Sequence, residues 1–347
     1  MPQFEHGLHT HSKLSGWCSI MNTFEMWIDP ELNPVFFNPL IRETLNPKSS
    51  MKFYCVFFSV LALALLPNIA CSQLTSSTDS AERSTHARFV PERADDFAWE
   101  NDLIAFRAYG PALREKGEDS GFDAWLKRVP YPIVDKWYAA HLEGISYHKD
   151  HGEGYDPYKV GASRGCGGLG LWLEGALVTS NVYTRWKIIE STRERTTFVL
   201  HYEWTHAGDV YTEAKAITIE LGDRLFQSTS TFRKNGALAA SLPIAIGIVR
   251  HNEDDAVSHD LDAGWMAIWE TIDGSGLGTG VVIDPLQIED FRIVTGDGDL
   301  DDHALIITKT DARGQLTYYT GFGWARAGAM TSEVKWTDYL AGFLESR

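Results

Sequence analysis

Cysteine and basic side chains are both scarce in this chain, and each scarcity removes a class of protein. Four cysteines stand among 347 residues, Cys18, Cys55, Cys71 and Cys166, and only Cys166 lies beyond residue 71. Most of the chain therefore has no disulfide framework and must rely on an ordinary apolar core. Lys and Arg number 31 against 47 Asp and Glu, a formal charge of −16 at pH 7. That balance argues against nucleic acid as a partner, because a phosphate backbone needs basic surface. An acidic sugar remains open to the chain, held by locally placed Arg, Lys or His. Long apolar spans are also lacking, and the run Val56–Leu66 is too short to cross a bilayer. GCGGLG at Gly165–Gly170 lacks the Lys-Ser/Thr of a P-loop, which speaks against a nucleotide fold. A Ser-His-Asp hydrolase lacks its βαβ context here.

The one apolar run has flanks that give it a meaning. Met51-Lys52 precedes Val56–Leu66, and Pro67 and Ala70-Cys71 follow it, the layout of a secretory signal peptide. Residues 51–71 are expected to be such a leader, with 1–50 an upstream extension from a misplaced start codon. Ala70-Cys71 also has the form of a lipoprotein cleavage site, with Cys71 as the lipid anchor, although Asn68 departs from the usual pattern. The protein is accordingly expected to be exported, to the periplasm or the cell surface. The Ser/Thr-rich residues 72–88 read as a flexible linker, with one domain following over 89–347.

Aromatic residues are plentiful, with 12 Trp, 13 Tyr and 17 Phe to build a core. Residues 97–109 read as a first strand, and 123–128 and 133–142 as helices. From Leu171 onward, short runs rich in Val, Ile, Thr and aromatics alternate with turn signals such as His206-Ala207-Gly208-Asp209 and Gly222-Asp223. About a dozen closely spaced strands predict a mainly β fold, a large antiparallel two-sheet β-sandwich with minor helices. Residues 332–344 are amphipathic and predict a C-terminal helix over the sheet.

The chemistry is concentrated in Tyr147–Gly170, YHKDHGEGYDPYKVGASRGCGGLG. Two histidines, three carboxylates, three tyrosines, two lysines and an arginine sit between glycines. Such a segment can be neither a buried helix nor an ordinary strand, since its polar groups would lack partners. It reads as a loop carrying acid–base chemistry. His148, Asp150, His151, Glu153 and Asp156 leave a divalent metal open, but their spacing matches no strong metal motif, and no cofactor is expected. The alternative is proton transfer, with Asp150 and Glu153 orienting the imidazoles. The glycines of GCGGLG are read as places where backbone turns tightly against a ligand or a neighbouring strand. Elsewhere, Asn101, Arg107 and His251 are candidate contacts. Trp324, beside glycines, has the character of a residue that stacks on sugar rings. His201, His206, His259 and His303 read as structural.

Four segments together, Trp99–Leu113, Ser146–Gly161, Gly165–Trp172 and Tyr318–Gly328, resemble an exported bacterial family catalogued as domain of unknown function 4861. The resemblance runs from about Phe89 to the C-terminus. One group in that family consists of oligosaccharide dehydratases of ulvan breakdown. It implies a carbohydrate-active lyase, a dehydratase that removes the C4 hydroxyl and C5 proton from a non-reducing-end uronic acid of an acidic oligosaccharide. The strand pattern is also similar, by analogy, to galactose-mutarotase-like supersandwiches. On that chemistry His151 is the expected base, and Tyr158 or His148 the acid. Lys159 and Arg164 are expected to neutralise the carboxylate, and Asn101, Arg107, Tyr155, His251 and Trp324 to bind substrate. Two other classes stay open, a sugar epimerase or mutarotase and a non-catalytic lipoprotein that captures acidic oligosaccharides.

Overall fold

A computed structural model describes residues 82–296, 298 and 300–347. The expected leader at 51–71, the upstream residues 1–50, Cys71 and most of the 72–88 linker lie outside the described residues. Ordered chain begins slightly earlier than the composition suggests. The strand His86–Val90 opens inside the stretch read as linker, and the Thr85 hydroxyl donates to the Thr192 carbonyl at 2.8 Å.

The chain is mainly antiparallel β structure, as its alternating runs predict. A nine-stranded sheet forms the spine. Its strands run in the order Ala256–Asp260, Trp265–Ile272, Ser275–Val282, Gln315–Trp324, Leu225–Lys234, Asp209–Glu220, Arg195–His206 and Arg185–Ser191, with Ala237–Leu238 paired on Leu225–Lys234. Hairpin chemistry is visible in the sequence: Ala207 and Gly208, both at positive φ, join the two twelve-residue strands in the tight two-residue turn that matches strand twist.

Two five-stranded sheets share the layer facing this spine. The first holds His86–Val90, Asp96–Glu100, Ala105–Ala108, Phe122–Lys127 and Gly154–Tyr155; the other holds Asp290–Val294, His303–Lys309, Pro243–Val249, Cys166–Leu173 and Ala176–Val178. Side-chain alternation shows that both cover the same face. Phe226 packs with the first and Phe232, six residues along the same strand, with the second. The first core is aromatic, with Trp99 edge-on to Phe122 and Phe226 at 5.5 and 5.4 Å. The second is aliphatic, built from Ile244, Ile246, Ile248 and Ile306 against Met266, Ile268 and Val281. The second layer of the sandwich is thus divided into two sheets. A single parallel bridge between Phe122 and Gly165 links them. Gly165 has φ +54°, and a Cβ there would stand 2.1 Å from the Phe122 carbonyl oxygen. The glycine-rich run therefore serves strand-to-strand approach.

The helix Glu333–Ala341 caps the opposite face of the spine, its Trp336 Nε1 donating to the Thr279 carbonyl at 3.0 Å. Among the described residues no helix is long and apolar enough to cross a membrane.

Two local expectations fail for identifiable reasons. Residues 123–128 are not helical but belong to the strand Phe122–Lys127. Both faces of that strand are buried, so its sequence shows no period of two. Residues 97–109 form two strands, Asp96–Glu100 and Ala105–Ala108, with Asn101 at the turn between them. The helix Val134–Leu142 does form, and Glu100 accepts from the Ile133 and Val134 amides at its start, at 2.8–2.9 Å.

Candidate active site

An open cleft of about 1420 Å³ lies where loops of the two smaller sheets meet. Arg107 and Tyr109 reach it from the first sheet, and His148 and Tyr155–Gly161 from the polar loop. Arg250–Glu253, Glu270–Asp273 and residues of the 295–302 segment complete the lining. Several polar atoms on this lining are buried without a hydrogen-bond partner among the described residues: Arg107 Nε, Glu118 Oε2, Arg250 Nε and Glu270 Oε1. Unsatisfied groups of this kind are costly in a dry core and are expected where a ligand or water completes them.

At one end, Arg107 anchors a network. Its Nη2 meets Asp123 Oδ2 at 2.5 Å and Asp156 Oδ2 at 3.1 Å, and its Nη1 donates to the Tyr147 hydroxyl at 3.2 Å. Burial opposes its charge, but Asp123 and Asp156 outweigh that and hold the guanidinium pKa well above normal. Arg93 bridges to Asp96, and both guanidiniums lie over the Tyr109 ring, at 6.0 and 5.2 Å. Burial first, and the Asp123 charge second, push the Tyr109 phenol well above its usual value, so it stays protonated at neutral pH.

His148 stands beside this network. Its Nδ1–H donates to the Asp156 carbonyl at 2.9 Å, with Asp156 Oδ2 at 3.4 Å. A donating Nδ1 leaves Nε2 as the lone-pair nitrogen. Nε2 has no partner among the described residues, and the side chain is 55% exposed.

His251 closes the other end. Nδ1–H donates to Glu270 Oε2 at 2.7 Å and Nε2–H to the Lys159 carbonyl at 2.8 Å. Both partners accept, so the ring carries both protons and is an imidazolium. Burial opposes that charge, yet the Glu270 contact outweighs it and the imidazole pKa is raised. Burial raises the Glu270 carboxyl as well. At both groups the folded state holds its proton more tightly than the unfolded chain. The His251 contribution to stability is therefore full below its ordinary value of 6.5 and is lost as pH rises through the higher folded value. The urea midpoint should fall as pH rises above His251's ordinary value of 6.5, and His251→Gln should flatten that fall; an unchanged slope would contradict the imidazolium assignment.

Of the residues chosen from sequence, the cleft gathers Arg107, His148, Tyr155, Tyr158, Lys159 and His251. Tyr155 donates to Asp273 at 2.7 Å, and burial, with that bond, takes its phenol to about 12. Tyr158 presents its ring edge-on to His251, but its hydroxyl is buried without a partner among the described residues and pushed well above its usual value by burial. It does not offer an accessible acid.

The other choices are corrected. His151 is exposed outside the cleft, bonded through Nε2 to the Ser146 carbonyl at 3.1 Å, a contact that folds it back onto its own loop. Asp150 binds Arg128 at 2.7 and 2.9 Å, and Glu153 takes Tyr131, Lys136 and Trp137, so neither orients an imidazole. Arg164 is wholly buried, donating to Ser120 and the Leu169 and Ala162 carbonyls, and cannot meet a substrate carboxylate. Asn101 is likewise buried, its amide spent on the Glu220 and Asp223 carbonyls. Trp324 is a 0% exposed core residue on the inward face of its strand, not a rim platform. GASRG at Gly161–Gly165 has the G-x-S-x-G form, but Ser163 is buried, accepts from the Gly165 amide at 3.0 Å, and precedes a strand. It is not a nucleophile elbow. Among the described residues no three His, Cys, Asp or Glu gather as metal ligands.

Arg93, Tyr109, Glu118 and Glu270 were not assigned to the site from sequence, and Asp156 was named there only within the His and carboxylate cluster of the polar loop. Arg107 on its strand and Tyr109 just past the strand's end, two residues apart, carried a signal, as did Glu270 ending the apolar run WMAIW.

The molecule is thus a β-sandwich with an acid–base cleft at the junction of its divided layer. The chain belongs to the family described as Domain of unknown function (DUF4861), which it matches over residues 64–346. Uncharacterized protein P7 of Formosa agariphila is 32% identical over 274 residues, 75% of this chain and 67% of that protein. Among solved structures, that of a heparan sulfate lyase HepC mutant from Pedobacter heparinus is similar at a TM-score of 0.32 and 10% identity. That likeness covers 70% of this chain but only 35% of the lyase, and it is too distant to carry an argument.

Proposed function

We propose that this protein is an exported dehydratase acting on acidic oligosaccharides, eliminating water across C4 and C5 of a non-reducing-end uronic acid. The observation that carries the reading is the junction at Asp156. One residue joins a guanidinium, Arg107, to an imidazole, His148, which lines the cleft and whose Nε2 has no partner among the described residues. The C5 proton of a uronate is hard to remove because the product would carry a second negative charge beside the carboxylate. Arg93 and Arg107 offset that charge, and His148 Nε2 takes the proton. Two neutral acids stand beside them, the Tyr109 phenol and, when it holds its proton, the Asp156 carboxyl, and either can protonate the departing C4 hydroxyl. Lys159 and the His251 imidazolium supply positive charge to the remainder of the sugar chain.

The deciding experiment is mass spectrometry of uronic-acid oligosaccharides after incubation, with ultraviolet absorbance followed in parallel. A product lighter by one water, uncleaved and newly absorbing, is expected. An isomer of unchanged mass would replace the dehydratase with an epimerase, and binding without any product would make the protein a capture module.

A further inference from the structure

The cleft floor holds more buried carboxyls than cations to pair them. Asp96, Asp123 and Asp156 are 0%, 0% and 4% exposed, and the two guanidiniums of Arg93 and Arg107 face them, with the His148 imidazole beside Asp156. An unpaired carboxylate in so dry a place is strongly disfavoured, so one of the three keeps a proton. Donor supply sets Asp96 apart, and access to the cleft decides between the other two. Asp96 takes Arg93 at 3.1 Å, the Gly110 amide at 3.3 Å and the Tyr138 hydroxyl at 3.5 Å. Asp123 takes Arg107 at 2.5 Å and the Trp125 indole at 3.0 Å, both on Oδ2, and its Oδ1 is buried without a partner among the described residues. Asp156 shares that same Arg107 nitrogen at 3.1 Å, with His148 Nδ1 at 3.4 Å, and is the one member of the three that lines the cleft.

We infer that Asp156, rather than Tyr109, is the general acid, its carboxyl carrying the proton that the departing hydroxyl takes. The inference rests on the elimination reading above. His148 Nε2 removes the C5 proton, the C–H electron pair becomes the C4–C5 double bond, and the C4–O bond breaks. The leaving oxygen takes the Asp156 proton and departs as water. Asp156 is then a carboxylate facing Arg107 and the new imidazolium of His148. The proton gained by one equals the proton lost by the other, so the pair resets without an outside acid. Burial first, and the Asp123 charge second, hold the Asp156 carboxyl well above the usual carboxylate range. Asp96 is pushed up only to about 6. Arg107, Arg93 and His148 face Asp156 as well, and the two guanidiniums keep the shift finite. A buried carboxylic acid kept neutral near pH 7 is a known donor in enzyme sites.

Infrared spectroscopy at neutral pH tests the proton directly. The protein should show a protonated-carboxyl C=O band that Asp156→Asn, an isosteric neutral replacement, lacks. A band that persists in this variant, or is absent from the parent, overturns the inference, and no substrate is needed. Failure of elimination with the band present falls on the dehydratase reading alone. In turnover, Asp156→Asn should lose about 10²–10⁴-fold with a C4 hydroxyl and recover with a C4-fluoro analogue, whose fluoride leaves without a proton. Asp123→Asn should move the basic limb of the pH–rate profile to lower pH, because the like charge holding the proton on Asp156 is gone. Rescue by fluoride in Tyr109→Phe instead of Asp156→Asn would transfer the acid role to the tyrosine.

Discussion

Arg107→Ala is expected to cost the folded state about 3–5 kcal/mol, a large share of the stability a domain possesses. Arg107 is 3% exposed, and its guanidinium contacts Asp123, Asp156 and Asp96 at 2.5, 3.1 and 3.8 Å while lying 5.2 Å from the Trp125 ring. Removing it leaves carboxylates in a dry pocket with only Arg93 nearby. Breaking one side of such a network costs far more than the pair contributes, because the abandoned charge has no solvent. Arg107→Lys should fall between the parent and alanine, since an ammonium cannot serve two carboxylates with a planar fork. Urea midpoints measure both effects. Acid should narrow the gap between variant and parent, because protonated aspartates no longer need the cation. A loss under about 1 kcal/mol for the alanine variant would show that the network is not the structural keystone described here.

The sequence disclosed the sandwich because its strands lie half-buried, with alternation intact in Arg195–His206 and Asp209–Glu220 and a turn of Ala207-Gly208 between them. It hid the strand Phe122–Lys127, where Asp123 and Lys127 are as buried as Phe122 and Leu126. Function divided along the same line. The polar loop reaches the cleft through His148 and Tyr155–Gly161, but composition cannot say which way each side chain faces. His148 and His151 stand three residues apart in similar company, yet His148 lines the cleft and His151 bonds back to the Ser146 carbonyl outside it. Arg107 and Arg164 look equally suited to a carboxylate, yet one lines the cleft and the other is a core fastener. Trp324 could have been placed correctly from alternation alone, since Leu316, Tyr318 and Phe322 precede it on the same inward face. Glu270 lies 100 residues beyond the loop's end at Gly170 in sequence, and only the fold brings it to the site.

His148→Ala is expected to reduce turnover of a uronyl oligosaccharide by about 10²–10⁴-fold, equivalent to ~3–5 kcal/mol of barrier, with little change in stability. The two effects separate because of where the ring sits. Its side chain is 55% exposed and bonds only the Asp156 carbonyl among the described residues, so truncation opens no core cavity. The urea midpoint should stay within about 0.5 kcal/mol of the parent, in contrast to Arg107→Ala. The loss should fall on kcat more than on KM, because a base acts on the transition state and not on the bound ground state. Added imidazole should restore part of the rate, since the half-exposed site can admit it, and a C5-deuterated substrate should react more slowly with the parent protein. His151→Ala is the control: bonded to the Ser146 carbonyl outside the cleft, it should turn over substrate at the parent rate. Equal losses in the two variants would mean that the loop as a whole, and not His148 Nε2, controls the reaction. Parent-like turnover in His148→Ala would remove the base from this histidine and leave the cleft's proton acceptor to be sought at Glu118, whose Oε2 is buried without a partner and whose carboxyl burial raises.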